Sequence, residues 1–299
     1  NQKEFLNFGF KDITPIRVYE NQDEGEIAYI IDGSIDIENL IAVFTTSPLV
    51  QYVKVGDQIQ VSGETINNFT KTVTYEITAE DDSQKEYSVY VTSTSDLILA
   101  GGKYWMNKNL GSSKVAESPT DQEAYGYLYQ WGRGNDGHQL TNSTLRSGQQ
   151  TTYANKGSIF YYKSASEDWR SNNLIPTGDD WAEVDNPCPC GFTVASRQDW
   201  IDFVNGRTGS TDNGDFKISY GEMRLTSTGY RNSTETRRFG GGIGTYGEGT
   251  GYSWLSNSST TASGSAQYVT YDKSRFNGIS GNPITLGRSL GMSVRCVEK

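Results

Sequence analysis

The sequence predicts two domains: an all-β sandwich over residues 1–97 and an α+β domain with long irregular loops over residues 98–299. Charge changes at this point, because residues 1–97 contain 6 Lys or Arg and 17 Asp or Glu, whereas residues 98–299 contain 20 and 19. All six Trp, all three Cys and 28 of the 33 Gly follow residue 100. So sharp a change in composition indicates a domain boundary, with the hinge at residues 93–96.

Alternating apolar and polar residues predict the strands of the first domain. Residues 73–79 and 87–91 alternate with a period of two on either side of a polar turn, so they are expected to pair. Residues 53–61 show a hairpin pattern around Gly56 and Asp57. Further strands are expected at residues 8–10, 27–31 and 40–44. About seven short strands in a stretch of this length are typical of an immunoglobulin-like sandwich.

The acidic residues of the first domain are interpreted as a solvated surface. A Ca²⁺ site at Asp81 and Asp82 is the alternative interpretation of two neighbouring carboxylates. No other cofactor is expected from the sequence.

A turn rich in proline and cysteine, residues 186–192, is the most distinctive stretch of the second domain. Its prolines fix φ and remove backbone donors, so residues 187–191 are expected to form a rigid turn. A bond between Cys188 and Cys190 would be strained, so one of them is left over when Cys296 is paired. A Cys-x-Cys metal clamp is the alternative, but it needs further ligands and the chain has a single His.

A helix is expected directly after this turn. Residues 192–194 are typical of a short strand, and Ser196 is placed to cap a helix that begins near Arg197. An apolar stripe on this helix indicates one face against a core. The residues of that stripe are Trp200, Phe203 and Val204.

The sequence contains little that resembles a catalytic constellation. The single histidine, His138, is interpreted as a surface residue, so a Ser-His-Asp triad has little support. The glycine-rich residues 132–138 lack the Lys-Ser/Thr of a phosphate-binding loop. The acidic pairs at residues 167–168 and 179–180 lie in loops, where adjacent side chains point apart. The chain is therefore expected not to be an enzyme.

Bulk composition limits the partners and the compartment. The net charge of −10 argues against nucleic acid, because phosphate binding needs clustered Lys and Arg. No apolar run is long enough to span a membrane as a helix. Three cysteines in a chain rich in Tyr, Thr, Ser and Asn favour an oxidising compartment. A start at Asn1 without Met is typical of a processed or trimmed chain.

Several motifs in one consistent order resemble the Fibrobacter succinogenes major paralogous (FISUMP) domain over residues 98–299. They lie at residues 104–110, 125–132, 188–192, 196–200, 251–256 and 291–297. The resemblance implies a fold similar to C-type lectins and to the sulfatase-modifying group, in a bacterial surface or secreted protein. It also implies a Cys188–Cys296 disulfide, with Cys190 free or shielded. Residues 193–196 depart from the family's usual His-Leu-Pro-Thr.

Two further expectations rest on resemblances to known groups of proteins. The sulfatase-modifying proteins use a reactive cysteine pair late in the fold, where this chain has only Cys296, so oxidase activity is not expected. Residues 61–70 resemble small sandwich domains that precede binding domains in Bacteroidetes surface lipoproteins.

The resemblance to C-type-lectin-like folds, whose long loops before the closing strands form the variable face, implies a ligand-binding face at residues 155–180 and 231–252. Aromatic faces stack on sugar rings, and polar side chains bind their hydroxyls; the alternative is that these rings only pack the loops. The candidate residues are Tyr161, Tyr162, Trp169, Arg237, Arg238, Tyr246 and Tyr252. The motif tryptophans Trp131, Trp200 and Trp254 are assigned to the core instead. Lectin-type Ca²⁺ coordination is not evident, because Asn257 and Asn282 lack an adjacent acid.

The expected function is non-catalytic recognition or adhesion at the bacterial cell surface. The ligand would be a glycan or a host-surface protein, bound by loops of the second domain. The protein is expected to be exported to the outer membrane as a lipoprotein, anchored by a lipid upstream of Asn1. A structural, tip or accessory subunit of a surface fibre is the alternative.

Overall fold

The computed structural model describes most of the chain, with gaps in the second half. The described residues are 3–151, 157–171, 181, 185–205, 223–232, 250–258, 264–271, 276–279 and 281–299. They form two compact units. Unit 1 comprises Asn1–Leu97, Pro189–Phe192 and Lys299, and unit 2 comprises Ile98–Cys188 and Thr193–Glu298. Within this described part, no helix has the length and apolar character needed to cross a membrane.

Unit 1 is built from nine strands in its described residues. They are β1 Phe5–Phe10, β2 Arg17–Asn21, β3 Glu26–Ile31, β4 Leu40–Thr46, β5 Val50–Val55, β6 Gln58–Ile59, β7 Ile66–Asn67, β8 Val73–Ala79 and β9 Gln84–Ser93. One sheet has the order β2-β3-β9-β8-β5-β6, and the other has the order β1-β4-β7. Strands β3 and β9 are parallel. The predicted β8–β9 pair and the predicted β5–β6 hairpin are both confirmed as antiparallel neighbours.

The core of unit 1 is aromatic and receives side chains from both sheets. Phe8 of β1 meets Tyr75 of β8 edge to face, with ring centroids 5.3 Å apart. The Tyr29 hydroxyl, from β3, donates a hydrogen bond to the Phe8 carbonyl oxygen. Because each strand turns alternate side chains inward, the two sheets enclose one apolar layer. Asp81 caps a turn by accepting hydrogen bonds from Ser83.

Unit 2 combines short strands with one described α-helix. The strands are β10 Leu97–Ala100, β11 Lys103–Met106, β12 Tyr129–Gln130, β13 Leu145–Ser147, β14 Phe160–Tyr162, β15 Phe192–Val194, β16 Gly251–Ser258, β17 Ser265–Tyr271, β18 Phe276–Asn277, β19 Thr285–Gly287, β20 Gly291–Met292 and β21 Cys296–Glu298. The helix α1 spans Arg197–Asn205, and a 3₁₀ turn lies at Gln122–Ala124; another 3₁₀ turn, Thr94–Asp96, lies at the end of unit 1. The sheets have the orders β10-β11-β21-β15 and β16-β17-β18, with β19 also paired to β17.

Helix α1 begins where the sequence predicted. Ser196 and Asp199 form a reciprocal capping box: the Ser196 amide donates to Asp199 Oδ2 at 2.8 Å, and the Asp199 amide donates to Ser196 Oγ at 3.1 Å. Trp200 and Phe203 are fully buried, and Trp200 meets Trp105 of β11 with ring centroids 4.9 Å apart. The predicted apolar face is therefore confirmed as a core face.

The disulfide joins Cys188 to Cys296, with the Cα atoms 5.9 Å apart, and Cys190 is free. This confirms the pairing that the family resemblance implied. A metal clamp at Cys188 and Cys190 is excluded, because one of its two thiolates is in a disulfide.

The prediction that His138 is a surface residue is wrong. Its side chain is 0% exposed; Nδ1 bonds Asp136 Oδ1 at 2.5 Å, and Nε2 accepts the Gln130 amide at 2.9 Å. Burial lowers the pKa of His138 to about 4, so the ring is neutral at physiological pH. The loop closes over it because Arg133, itself buried, bonds Asp136 at 2.7 Å.

Candidate ligand-binding face

Two of the predicted binding residues lie in the interior of unit 2. Trp169 is 1% exposed and Tyr161 is 4% exposed. The Trp169 indole donates to the Trp131 carbonyl oxygen at 2.8 Å, and the guanidinium groups of Arg133 and Arg170 lie over its ring, 4.9 and 5.2 Å from the centroid. Both rings are therefore core residues and cannot form an exposed binding surface, contrary to the prediction. The three motif tryptophans assigned to the core are buried, as predicted.

The other predicted residues divide into two groups. Arg237, Arg238 and Tyr246 lie outside the described residues. Tyr162 and Tyr252 are half-buried, on β14 and β16 respectively. Of these two, Tyr252 lies among other aromatic rings and leads to a candidate site.

Three half-buried tyrosines form a continuous group, which we call the tyrosine cluster: Tyr230, Tyr252 and Tyr268. The ring of Tyr252 meets that of Tyr230 edge to face at 5.1 Å and stacks on that of Tyr268 at 6.1 Å. The sequence analysis selected Tyr252 but missed Tyr230 and Tyr268. The alternation of residues 266–271 could have placed Tyr268 on an outer face.

The register of β16 and β17 explains why these rings meet. Tyr252 lies opposite Thr270, and Trp254 lies opposite Tyr268. Residues opposite each other in an antiparallel pair share a face of the sheet, so all four side chains point the same way. Their neighbours Val269 and Tyr271 point the other way, into the hydrophobic core of unit 2.

One end of this face is closed and the other is open. Trp254 is 0% exposed and donates its indole N–H to the Tyr129 carbonyl oxygen at 2.8 Å. At the open end Thr270 is half-buried and Asn277 is exposed, and the Asn277 amide donates to Thr270 Oγ1 at 3.4 Å. The open end therefore combines aromatic rings with an amide and a hydroxyl.

Side-chain hydrogen bonds hold the backbone of the strands that carry the tyrosine cluster. Ser293 Oγ donates to the Tyr252 carbonyl oxygen at 2.5 Å, and the Tyr252 amide donates to Thr228 Oγ1 at 3.4 Å. On the side of β18, the Arg197 guanidinium donates to the carbonyl oxygens of Gly278 at 3.2 Å and Ile279 at 2.8 Å. Such supports fix the rings before a ligand arrives, which lowers the entropic cost of binding.

The chemistry of the cluster is that of neutral hydroxyls and aromatic faces. Burial, with a smaller contribution from Tyr230, raises the pKa of Tyr268, so its hydroxyl stays protonated at physiological pH. In the part of unit 2 that the structure describes, no group of three or more His, Cys, Asp or Glu side chains is placed to hold a metal ion. Asn257, considered for Ca²⁺, accepts the Arg197 amide at 2.7 Å and so supports the start of α1.

Comparison with known families gives a match within unit 1. The family model for the N-terminal domain of SGBP, the surface glycan-binding proteins, matches residues 5–91. These residues run from β1 into β9. No curated protein matches the sequence.

Two solved structures from Bacteroides show a weak similarity. One is a protein from Bacteroides fragilis described as secreted, at 15% identity and a TM-score of 0.25, covering 30% of this chain and 94% of that one. The other is a protein from Bacteroides thetaiotaomicron described as a glycoside hydrolase, at 18% identity and a TM-score of 0.28. That match covers 45% of this chain and 43% of the other, so the chain spans less than half of that protein.

Proposed function

We propose that this protein binds a glycan at the bacterial cell surface through the tyrosine cluster of unit 2. The observation that carries the proposal is the open sheet face on which the rings of Tyr252 and Tyr268 lie beside Thr270 and Asn277. Aromatic rings present a flat apolar surface to the C–H face of a sugar, while amides and hydroxyls bond its oxygens. The rings are half-buried, so they are rigid and still accessible.

The family match supports the same function from the other unit. Residues 5–91 match the N-terminal domain of surface glycan-binding proteins, which favours a role for unit 1 as a spacer that presents unit 2. In this proposal unit 1 is an immunoglobulin-like sandwich and unit 2 is a C-type-lectin-like FISUMP domain. Export as an outer-membrane lipoprotein, with a lipid anchor upstream of Asn1, belongs to the same proposal.

A binding role fits the described residues of unit 2 better than a catalytic one. His138 is fully buried, and both of its ring nitrogens are bonded within the protein. Asp168 is also buried, bonding Arg170 at 3.0 Å and Arg288 at 3.4 Å. General acid–base catalysis needs groups that reach the substrate, and these two do not.

The proposal is tested with a polysaccharide and glycan array, followed by affinity measurements on Tyr252→Ala and Tyr268→Ala. Tyr52→Ala is the matched control, because Tyr52 is also half-buried but belongs to unit 1, where its ring lies under Lys54. We expect each cluster variant to bind the glycan more weakly, by roughly 2- to 10-fold, and the control to bind it like the parent protein. A ligand bound equally well by both cluster variants would place the site elsewhere. Silence on the array, with co-purification of a fibre subunit, would favour the structural alternative.

A further inference from the structure

Arg295 is a charged residue inside the hydrophobic core of unit 2. Its side chain is 1% exposed, and Nη1 donates to the Met106 carbonyl oxygen at 2.8 Å. Its Nε and Nη2 atoms are buried and have no hydrogen-bond partner in the described part of the chain. Two strong donors on a buried cation are therefore not satisfied by any of the residues that the structure describes.

The other buried arginines of unit 2 are satisfied differently. Arg133 pairs with Asp136, and Arg170 and Arg288 both pair with Asp168. Arg231 donates to Leu140 and Ser143 and lies over the ring of Phe160. These contacts show how the fold normally accommodates a guanidinium, with a carboxylate or with several oxygens.

A second buried polar group, the Tyr271 hydroxyl, lies near Arg295. Tyr271 is 1% exposed, and its hydroxyl interacts electrostatically with Arg295 and lies close to the hydroxyls of Ser293 and Thr228, without a well-aligned hydrogen bond to either among the described residues. The surrounding core side chains include Trp105, Leu255 and Val297, which are apolar or carry no acceptor. The Tyr271 ring packs directly against Gly251, where a Cβ would lie 1.9 Å from the ring, so this ring position requires glycine at residue 251.

Charge decides which kind of ligand suits these donors. Burial lowers the pKa of Arg295 to about 10, which leaves the guanidinium charged at physiological pH. An uncompensated buried charge is costly, and a water molecule would accept hydrogen bonds without neutralising it. A small anion would accept hydrogen bonds from several donors and would also neutralise the charge of the guanidinium.

We propose that unit 2 binds a small monovalent anion of the halide class in its core, between the Arg295 guanidinium and the Tyr271 hydroxyl. The site lies behind the tyrosine cluster, because Tyr271 neighbours Ser293 and Thr228, whose hydroxyls hold the backbone of Tyr252. The anion is a structural ligand and is separate from the proposed glycan.

The test is thermal unfolding of the full chain followed by Trp fluorescence. All six Trp lie in unit 2, so this signal reports the unfolding of that unit. Chloride is varied against gluconate at constant ionic strength. We expect chloride to raise Tm by at least about 3 °C, since a ligand that binds only the folded state stabilises it. Arg295→Met should abolish the dependence. Arg170→Met removes an arginine that is paired with a carboxylate. This variant should have a lower Tm, but its Tm should still depend on chloride.

Two further measurements keep the proposal falsifiable if Arg295→Met fails to fold. Tyr271→Phe keeps the ring and removes the hydroxyl, so it should raise the chloride concentration needed for half of the Tm shift several-fold. Crystals grown in bromide should show an anomalous peak within hydrogen-bond distance of the guanidinium. A Tm independent of chloride and bromide would overturn the proposal. So would density that shows only water, or a carboxylate of the chain itself, at Arg295.

Discussion

The rings of Tyr252 and Tyr268 lie within 20° of parallel, with centroids 6.1 Å apart. They come from neighbouring antiparallel strands and are offset diagonally, since Tyr252 faces Thr270 and Trp254 faces Tyr268. Below them Trp254 meets Tyr268 edge to face at 6.3 Å. The buried indole therefore supports one of the two stacked rings, and the sheet rather than a loop sets their spacing.

Two substitutions at Tyr268 distinguish the contribution of its stacked ring from that of its hydroxyl. Tyr268→Phe retains the aromatic face, so we expect glycan affinity to fall by less than the loss in Tyr268→Ala. For Tyr268→Ala a loss of roughly 2- to 10-fold is expected from one aromatic contact. Isothermal titration calorimetry with the glycan selected on the array measures both. Equal losses in the two variants would assign the contribution to the hydroxyl instead of to stacking.

We expect Trp169→Ala to lower the free energy of unfolding of unit 2 and not to remove a ligand contact. The indole is buried, donates to the Trp131 carbonyl oxygen and packs against two guanidinium groups. Truncating a buried Trp costs about 3 to 5 kcal/mol. Denaturant unfolding measures this loss, with Tyr162→Ala as a half-buried control close in sequence, for which we expect about 1 kcal/mol or less. A Trp169→Ala variant with unchanged stability would contradict the core assignment.

Local patterns were sufficient for the regular parts of the fold. The strands of unit 1 alternate with a period of two, so the β8–β9 pair could be placed from sequence alone. Helix α1 carries its own start signal in Ser196 and Asp199. Each of these features is set by residues within a few positions of one another.

Burial in the irregular segments could not be predicted in the same way. Trp169 is packed against the guanidinium groups of Arg133 and Arg170, and Asp168 is paired with Arg288, which is 120 positions away. No local period encodes such contacts. The same applies to the contact between Tyr252 and Tyr230, because Tyr230 comes from an irregular segment.

The disulfide should be the largest single contribution to the stability of unit 2. Cys188 and Cys296 are 108 positions apart, and closing a loop of that length contributes roughly 4 to 5 kcal/mol in the chain-entropy model. We expect the Cys188→Ala, Cys296→Ala double variant to unfold at markedly lower denaturant concentration by Trp fluorescence. Cys190→Ser, which removes the free thiol, is the control and should unfold like the parent chain. Equal destabilisation by the two changes would contradict the assigned pairing.

His138 should make the protein less stable as the pH falls from about 6.5 to about 4. Burial lowers its pKa in the folded state to about 4, whereas the unfolded chain binds the same proton near 6.5. Between these values the unfolded state carries more protons, so stability rises with pH and is lost on acidification. A difference of this size corresponds to about 3 kcal/mol.

The measurement is unambiguous because His138 is the single histidine of the chain. Its ring protons give one set of NMR signals, which should not titrate near pH 6.5 in the folded protein. His138→Gln removes the titrating group, so its free energy of unfolding should change less between pH 6.5 and 4 than that of the parent. Carboxylates titrate alike in both proteins, so the difference between the two curves isolates the histidine. A folded-state titration near pH 6.5 would show that the ring reaches solvent, and the loop from Arg133 to His138 would then be open.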